Sequence, residues 1–364
     1  MKFSVDTEVL LGGIHSIQNA IHTRSALPIL SNIHLEAAEN HLTLTGTDLE
    51  IGIATTLPAQ VQEPGVTTLP ARRLNDLIKE LPSCPLTIAV KKNHIAVMDC
   101  GTSHFKLIGL PPEDFPKLPT IAGAHTFSIP QETLSTMLSL VSFAMSHDET
   151  RYVLNGTLFS AQKGKLRLVA TDGRRLAMME RTIPTSPTTD TRAIIPTKAV
   201  HELSRLLGSD GEAHITFQKN QVKFHLGPTT ILSRTIEGEF PNYEQVVPVE
   251  SPTKVKIPRE NLLLAIRRVS LWTTQESQAI RLDATKNKLI ISKQSQELGE
   301  AREEVDAEYG GQELSVGFNP TYLMDVLRSL PDGMIEMEIV GPERPGVVRT
   351  QDHYTYIVLP MQLT

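Results

Sequence analysis

The sequence repeats itself, and this repetition constrains the fold more than any single motif does. Residues 42–48 read LTLTGTD, and residues 166–172 read LRLVATD at an offset of 124 positions. The segment PARRL at 70–74 is echoed by PTKAV at 196–200 and again by NPTYL further along the chain. Internal repeats decide the architecture before local patterns do. Because this spacing is the length of a whole domain, the chain is predicted to contain three diverged copies of one domain.

The predicted domains are residues 1–121, 122–247 and 248–364, with proline-rich linkers at 111–119 and 247–252. Each copy opens with a strand and an amphipathic helix, and a second helix begins beside a proline. About eight strands accompany the two helices of each copy. Since each helix and each antiparallel sheet has one apolar face to bury, the helices must lie on one face of the sheet, which predicts an α+β fold.

Apolar residues at helical spacing mark the two helices of each copy. The first helices carry Leu10, Ile14, Ile17 and Ile21; Leu134, Leu138, Val141 and Met145; and Leu262, Ile266 and Val269. The second helices carry Leu74, Leu77, Ile78 and Leu81; Val200, Leu203 and Leu207; and Leu323, Val326, Leu327 and Leu330.

An Asp-Gly step separates two apolar strands in the second copy. Leu166, Leu168 and Ala170 share one face of the first strand, and Asp172 and Gly173 follow it. Asp-Gly between apolar alternations is typical of a hairpin with a tight primed turn, because Gly accepts the positive φ that this turn requires.

Composition excludes several classes of protein. The 364 residues carry a net charge of −6, which argues against a nucleic-acid binder that relies on bulk positive charge. No apolar run is long enough for a membrane span, and the amino terminus lacks the apolar core of a signal peptide. The two cysteines, Cys84 and Cys100, have no zinc-ligand spacing; they could be neighbours in the fold, but free buried thiols are expected. These features predict a cytoplasmic protein.

No motif in the sequence indicates an enzyme. The phosphate-binding Gly-rich loop, the His-Glu-x-x-His zinc motif and the nucleophile elbow are all absent. Ser146, His147 and Asp148 are consecutive, so their side chains cannot converge as a catalytic triad does. We therefore predict no catalytic residues, no metal ligands and no cofactor.

Basic residues recur in or beside the predicted helices. They are Arg24, Arg72, Arg73, Lys79, Arg151, Lys198, Arg205, Arg259, Arg267 and Arg268. One interpretation is solubilising charge on the outer faces of amphipathic helices. The other is that helices from all the repeats line one surface that faces a polyanion. The residues alone leave both open.

Five segments, in order and at matching spacing, resemble the bacterial DNA polymerase III beta sliding clamps. They are GTDLE at 46–50, RYVLNG at 151–156, ATDGRRLA at 170–177, FPNY at 240–243 and LPMQL at 359–363. The resemblance runs from the amino terminus to the tail. It implies a head-to-tail homodimer in which two subunits of three domains each close a ring of six, with helices lining the hole and a continuous sheet outside. A ring holds DNA topologically and needs only loose, sequence-blind phosphate contacts, which suits an acidic protein.

The resemblance also implies roles for individual residues. The residues that match DNA-facing positions are Arg24, Arg73, Arg151, Tyr152 and Lys198. Those that match a pocket for partner peptides are Leu154, Thr171, Gly173, Arg174, Arg175, Leu176, Pro241, Val246, Ile357, Leu359, Pro360 and Met361. Those that match the dimer contact are Phe105, Leu107, Leu271 and Trp272.

The implied function is a processivity factor that encircles duplex DNA and tethers the replicative polymerase. Its implied partners are double-stranded DNA, a second copy of the chain, and the polymerase, clamp loader and other proteins that present short peptide motifs. The competing hypothesis is a three-repeat regulator that binds peptides and never encircles DNA. A third hypothesis is a hydrolase whose site is assembled from residues without a recognisable motif.

Overall fold

The computed structural model describes residues 1–21, 27–121, 126–184, 190–249, 251 and 253–363. Within these residues the chain forms six α-helices. They are α1 (Thr7–Ile17), α2 (Ala71–Glu80), α3 (Gln131–Val141), α4 (Thr197–Leu206), α5 (Arg259–Val269) and α6 (Pro320–Ser329). None of these helices is long and apolar enough to cross a membrane.

The same described residues form 25 β-strands, nine, eight and eight in the three successive repeats. In the first repeat they are β1 (Lys2–Asp6), β2 (Asn32–Ala38), β3 (His41–Thr47), β4 (Ile51–Pro58), β5 (Gln60–Glu63), β6 (Gly65–Pro70), β7 (Pro85–Val90), β8 (Ile95–Cys100) and β9 (Ser103–Ile108). In the second they are β10 (Thr126–Pro130), β11 (Gly156–Gln162), β12 (Lys165–Thr171), β13 (Arg175–Thr182), β14 (Thr191–Pro196), β15 (Glu212–Gln218), β16 (Gln221–Leu226) and β17 (Thr229–Arg234). In the third they are β18 (Lys254–Pro258), β19 (Ile280–Thr285), β20 (Lys288–Ser295), β21 (Gly299–Asp306), β22 (Leu314–Phe318), β23 (Met334–Glu338), β24 (Gly346–Thr350) and β25 (Tyr354–Val358).

The predicted faces of the first helices are buried, but in the first two repeats the α-helix is shorter than its apolar spacing suggests. Leu10, Ile14 and Ile17 are fully buried along α1. Ile21, the fourth member of that face, is buried beyond a 3-10 turn at Gln18–Ala20. The helices α3 and α5 also end in 3-10 turns. A tightened last turn satisfies carbonyl groups that an α-helix leaves unpaired at its end.

The described chain divides into two compact units. The first holds Met1–Leu134 and Lys198–Thr235, and the second holds 135–184, Asp190–Thr197 and 236–363. The first unit contains a sheet of order β5-β1-β7-β8-β9 and an eight-stranded sheet of order β10-β15-β16-β17-β4-β3-β2-β6. The second contains an eight-stranded sheet of order β14-β11-β12-β13-β25-β24-β23-β18 and a sheet of order β21-β20-β19-β22. Each eight-stranded sheet therefore combines strands of two successive repeats.

The two eight-stranded sheets join their repeats in the same way. In the first unit β4 pairs with β17, and Gly52 lies opposite Leu232. In the second unit β13 pairs with β25, and Leu176 lies opposite Ile357. The offsets between these pairs are 124 and 125 residues, so the internal repeat extends to the register of the joint. The predicted α+β architecture of repeated clamp domains is confirmed.

The Asp-Gly hairpin is confirmed, but its turn differs from the prediction. Gly173 has φ +84°, as expected, yet the last paired residues are Thr171 and Leu176, so the loop is longer than a two-residue primed turn. The Asp172 carboxylate accepts hydrogen bonds from the amides of Arg174 (2.8 Å) and Arg175 (3.0 Å). A side-chain acceptor of this kind stabilises an open loop by taking the place of a backbone carbonyl.

The prediction of free cysteine thiols is wrong in this structure. Cys84 and Cys100 form a disulfide, with their Cα atoms 6.4 Å apart. Cys84 immediately precedes β7 and Cys100 ends β8, and these strands are antiparallel neighbours. The strand register therefore brings two cysteines together that show no motif in the sequence.

Candidate partner-binding and DNA-facing sites

Arg175 is the centre of a buried polar network at the start of β13. Its side chain is 9% exposed, and each of its guanidinium nitrogens donates a hydrogen bond. Nε donates to Asp172 (3.1 Å), and the two terminal nitrogens donate to Asp325 (2.6 Å) and to the Phe143 carbonyl (2.8 Å). The guanidinium also lies 4.5 Å from the ring centroid of Tyr322, within range for a cation–π contact. This polar network fixes the β12–β13 turn against α6.

The polar network around Arg175 favours the charged form of its side chain. Burial alone would lower the pKa of Arg175, but the hydrogen bond to Asp325 and the nearby anionic groups raise it. Burial in turn raises the pKa of Tyr356, whose hydroxyl donates to the Tyr322 carbonyl at 2.8 Å. Arg175 was a predicted pocket residue, and in this structure each of its three guanidinium nitrogens already donates a hydrogen bond within the fold.

An apolar cluster lies where β13 pairs with β25. Its buried members are Leu158, Val169, Leu176, Ile194, Tyr243, Val347 and Ile357. Leu176 and Ile357 were predicted pocket residues, and the register places them directly opposite each other. The other members were missed as site residues because a buried apolar residue on a strand looks the same in the sequence whether it lies under a pocket or in an ordinary core.

The remaining predicted pocket residues differ in exposure. Leu359 is 45% exposed, and its amide donates to the Arg174 carbonyl at 2.9 Å, which extends the β13–β25 pairing into the tail. Val246 is 56% exposed, and Pro241 is also exposed. Pro360 is half-buried. The tail therefore reaches the second repeat through backbone pairing, as the predicted pocket requires.

Other predicted pocket residues serve the fold at least as much as the surface. Leu154 is buried, and the Thr171 hydroxyl donates to the Arg175 carbonyl at 2.6 Å inside the turn. Met361 is half-buried, and its amide donates to the Gly317 carbonyl at 2.8 Å, so the tail also binds β22.

A second polar network holds the linker that follows the second repeat. Arg167 donates to Glu180 (2.7 Å) and to the Tyr243 hydroxyl (3.2 Å). Burial would raise the pKa of Glu180, but hydrogen bonds from Lys165 and Arg167 lower it overall. Arg349 donates to the Pro248 carbonyl at 2.6 Å. These contacts hold the linker against the central strands β12, β13 and β24, and no short sequence motif predicts them.

The predicted DNA-facing residues differ in how free their charges are. Arg24 lies outside the described residues. Arg73 is exposed on α2, and Tyr152 is 58% exposed. Arg151 is exposed and its Nε donates to Asp148 at 3.0 Å. Lys198 forms an ion pair with Asp48, whose carboxylate is almost buried in the β3–β4 turn, so its charge is partly used within the protein.

Several other basic residues of the predicted helix pattern are also engaged within the fold. Arg205 donates to the carbonyls of His15 (3.0 Å) and Ser16 (2.8 Å) at the end of α1. Arg268 forms a bidentate pair with Glu303 at 2.7 and 2.8 Å. Arg259 is mostly buried and pairs with a carboxylate and a backbone carbonyl. The helix pattern therefore mixes structural cations with exposed ones, which spacing alone does not separate.

Of the predicted dimer residues, Leu271 is exposed and the other three are half-buried. In the first unit Phe105 and Leu107 are half-buried on β9, and Ile108 of the same strand is 70% exposed. In the second unit Leu271 is 72% exposed, and the Trp272 indole donates to the Leu298 carbonyl at 3.0 Å. Exposed apolar side chains in a row favour a protein contact.

The part of the chain that the structure describes contains no candidate metal-binding site. No group of three or more His, Cys, Asp or Glu side chains there could hold an ion.

Comparison with known proteins covers the whole chain. Residues 1–119 match the N-terminal domain of the DNA polymerase III beta subunit, residues 128–242 its central domain and residues 244–362 its C-terminal domain. The beta sliding clamp of Escherichia coli (strain K12) is 34% identical over 369 residues, which cover 100% of both chains. That of Chlamydia pneumoniae is 31% identical over 363 residues, covering 100% of this chain and 99% of the relative.

Solved structures agree with the sequence comparison. A sliding clamp from Pseudomonas aeruginosa bound to griselimycin superposes with a TM-score of 0.96 at 35% identity, covering 100% of both chains. The sliding clamp from Bacillus subtilis superposes with a TM-score of 0.95 at 28% identity, again over 100% of both chains.

Together the repeated domains, the joined sheets and these matches define a DNA sliding clamp. The chain belongs to the DNA polymerase III beta subunit family. The competing prediction, a peptide-binding regulator that never encircles DNA, is not supported.

Replacing Arg175 tests the polar network around its side chain. Arg175→Leu is expected to lower the free energy of unfolding by about 3 kcal/mol, because Asp172 and Asp325 lose their shared partner in a half-buried site. Arg174→Leu is the matched control on the exposed neighbouring residue and should change stability by no more than about 0.5 kcal/mol. Urea unfolding curves give the free energy of unfolding of both variants. An equal loss of stability in the two variants would contradict the structural role of the Arg175 network.

Proposed function

We propose that the chain closes into a ring around duplex DNA by pairing β9 of one copy with β21 of a second copy, head to tail. The observation that carries this proposal is that both strands lie at the edge of a sheet. Among the described strands, β9 pairs only with β8, and β21 pairs only with β20. An exposed strand edge presents a row of unpaired N–H and C=O groups, which favours pairing with another chain.

The internal repeat identifies the missing partner of each edge. The strands β4, β13 and β21 have the same length and begin at residues 51, 175 and 299, two steps of 124. The strands β9, β17 and β25 are likewise equivalent. Since β4 pairs with β17 and β13 with β25, the partner that β9 lacks is a strand equivalent to β21. Two such contacts, related by a two-fold axis, close a ring.

The same equivalence predicts the register across the interface. Transferring the Gly52–Leu232 pair places Lys106 of one copy opposite Glu300 of the other. Both side chains are exposed in the single chain. Opposite charges directly across two strands stabilise the pairing, whereas like charges destabilise it. The predicted contacts of Phe105, Leu107, Leu271 and Trp272 accompany this strand pairing.

DNA inside the ring would be held by topology more than by affinity. The net charge is −6, and the exposed cations Arg73 and Lys79 on α2 and Arg267 on α5 are few. Loose, water-mediated phosphate contacts carry no sequence information and allow sliding. The predicted roles of Arg151, Tyr152 and Lys198 in this surface remain part of the proposal.

Partner proteins would bind the apolar cluster and its exposed rim. Leu359 and Val246 supply exposed apolar surface beside the buried Leu176 and Ile357. Met361 adds a side chain that adapts its shape, which suits a pocket shared by several partners. We propose that the replicative polymerase and the clamp loader insert short, extended peptides there, with affinities in the micromolar range.

The protein is proposed to be a processivity factor without catalysis of its own, acting in the bacterial cytoplasm. A disulfide is uncommon in that compartment. The two cysteines lie beside or at the ends of the antiparallel neighbours β7 and β8.

The ring contact is tested by a charge swap. Lys106→Glu is expected to weaken the dimer by about tenfold, because each of two interfaces gains a like-charge pair. Adding Glu300→Lys should restore wild-type affinity, since the opposite charges are then exchanged. Sedimentation equilibrium measures both variants. A double variant as weak as the single one would contradict the register.

The partner pocket is tested by two leucines of similar exposure in the tail. Leu359→Asp places a carboxylate on the pocket rim and is expected to reduce the affinity for a fluorescent Gln-Leu-Ser-Leu-Phe peptide at least about tenfold. Leu363→Asp is the control, because Leu363 is 44% exposed and lies against Gly317 instead. Fluorescence anisotropy gives both affinities, and unchanged binding by Leu359→Asp would remove the pocket.

A further inference from the structure

A cavity lies at the β4–β17 joint of the first unit, outside the partner pocket proposed above. Its volume is about 230 Å³, and its lining includes Leu49, Gly52, Leu118, Leu232 and Arg234. Every one of these residues corresponds, by the internal repeat, to a residue at the β13–β25 joint.

The backbone of the two joints agrees to the level of single hydrogen bonds. The Arg234 amide donates to the Glu50 carbonyl at 3.0 Å, just as the Leu359 amide donates to the Arg174 carbonyl. The turn also repeats. The Asp48 carboxylate accepts from the amides two and three residues later, at 2.9 and 2.8 Å, as Asp172 does. The first joint is therefore the same framework with different side chains.

One residue of this framework is held in a costly conformation. Leu49 has φ +78°, the left-handed region that Gly173 occupies in the second repeat. Its side chain is nevertheless 48% exposed at the cavity. A positive φ is uncommon for a bulky residue, and such outliers cluster at ligand-binding sites.

The side chains that differ define a different specificity. Gly52 replaces Leu176, and the space is partly taken by Leu118, whose Cδ2 lies 2.3 Å from where a Cβ on Gly52 would be. Arg234 replaces Leu359, so a cation stands where the other joint has an apolar rim. Arg234 and the neighbouring Lys117 are exposed cations, and they outnumber the one carboxylate of the lining, Glu50.

We propose that this cavity is a second binding site for an extended segment of a partner protein, one that carries a leucine-sized side chain beside a carboxylate. The apolar side chain packs against Leu49 and Leu232, and the carboxylate pairs with Arg234 in a charge-assisted hydrogen bond. The inference rests on the proposed partner pocket, because the β13–β25 joint is the precedent for peptide binding at such a joint. It adds a second binding site, whose ligand is defined by a carboxylate that pairs with Arg234.

The test uses the full chain with 13C-labelled leucine methyl groups and the probe acetyl-Leu-Asp-Leu-amide. The methyl signals of Leu49 and Leu232 are expected to shift to saturation as the probe is added. Two variants should each weaken binding at least about tenfold: Leu49→Asn, which tolerates the left-handed backbone, and Arg234→Glu, which reverses the charge. The probe acetyl-Leu-Asn-Leu-amide should bind several-fold more weakly than the acidic one.

The control variant Leu359→Asp separates this inference from the proposed function. It should leave the acidic probe bound as in the wild type, while losing the Gln-Leu-Ser-Leu-Phe peptide. Unshifted Leu49 and Leu232 signals, or wild-type binding by both Leu49→Asn and Arg234→Glu, would overturn the second site. Retained binding of the glutamine peptide by Leu359→Asp would instead overturn the first pocket.

Discussion

Antiparallel pairing between strands of successive repeats is the interaction on which the rest of the structure depends. The β4–β17 and β13–β25 pairs turn three separate domains into sheets that run from one repeat into the next. The same pairing leaves β9 and β21 with one neighbour each among the described strands. Because unpaired strand edges invite association, a chain built by joining repeats edge to edge carries at its two ends the means of joining another copy. Each joint also brings a turn, a linker and a following strand together, and the proposed partner pocket and the cavity of the first unit both lie at such joints.

The charge of the protein becomes understandable once its cations are sorted by their partners. Three arginines, Arg175, Arg205 and Arg259, hold turns and helices in place. Their guanidinium groups donate to carboxylates and carbonyls within the protein. Arg73 and Arg267 remain exposed on helices. A protein that must move along DNA gains nothing from a dense array of tight phosphate contacts, and a few exposed cations on an acidic chain are compatible with sliding.

Much of the fold could be predicted from the sequence because it follows from periodicity. The apolar spacing of Leu10, Ile14 and Ile17 predicted a buried helix face, and the Asp-Gly step predicted a hairpin with a positive φ at Gly173. The features that could not be predicted depend on contacts between distant residues. The Cys84–Cys100 bond follows from the β7–β8 register, and the partners of Arg175 come from three separate segments. Family resemblance named most of the proposed pocket residues, but only the structure separates the buried Leu176 from the exposed Leu359.

The measurement that tests the central claim most directly is retention on DNA as a function of topology. The protein is loaded onto a nicked circular plasmid by its cognate ATP-driven loader, and the DNA-bound fraction is isolated by gel filtration before and after a single restriction cut. A ring held by topology predicts that the protein stays on the circle in salt high enough to suppress phosphate contacts and leaves within minutes once the plasmid is linear. Equal release from circular and linear DNA would contradict encirclement.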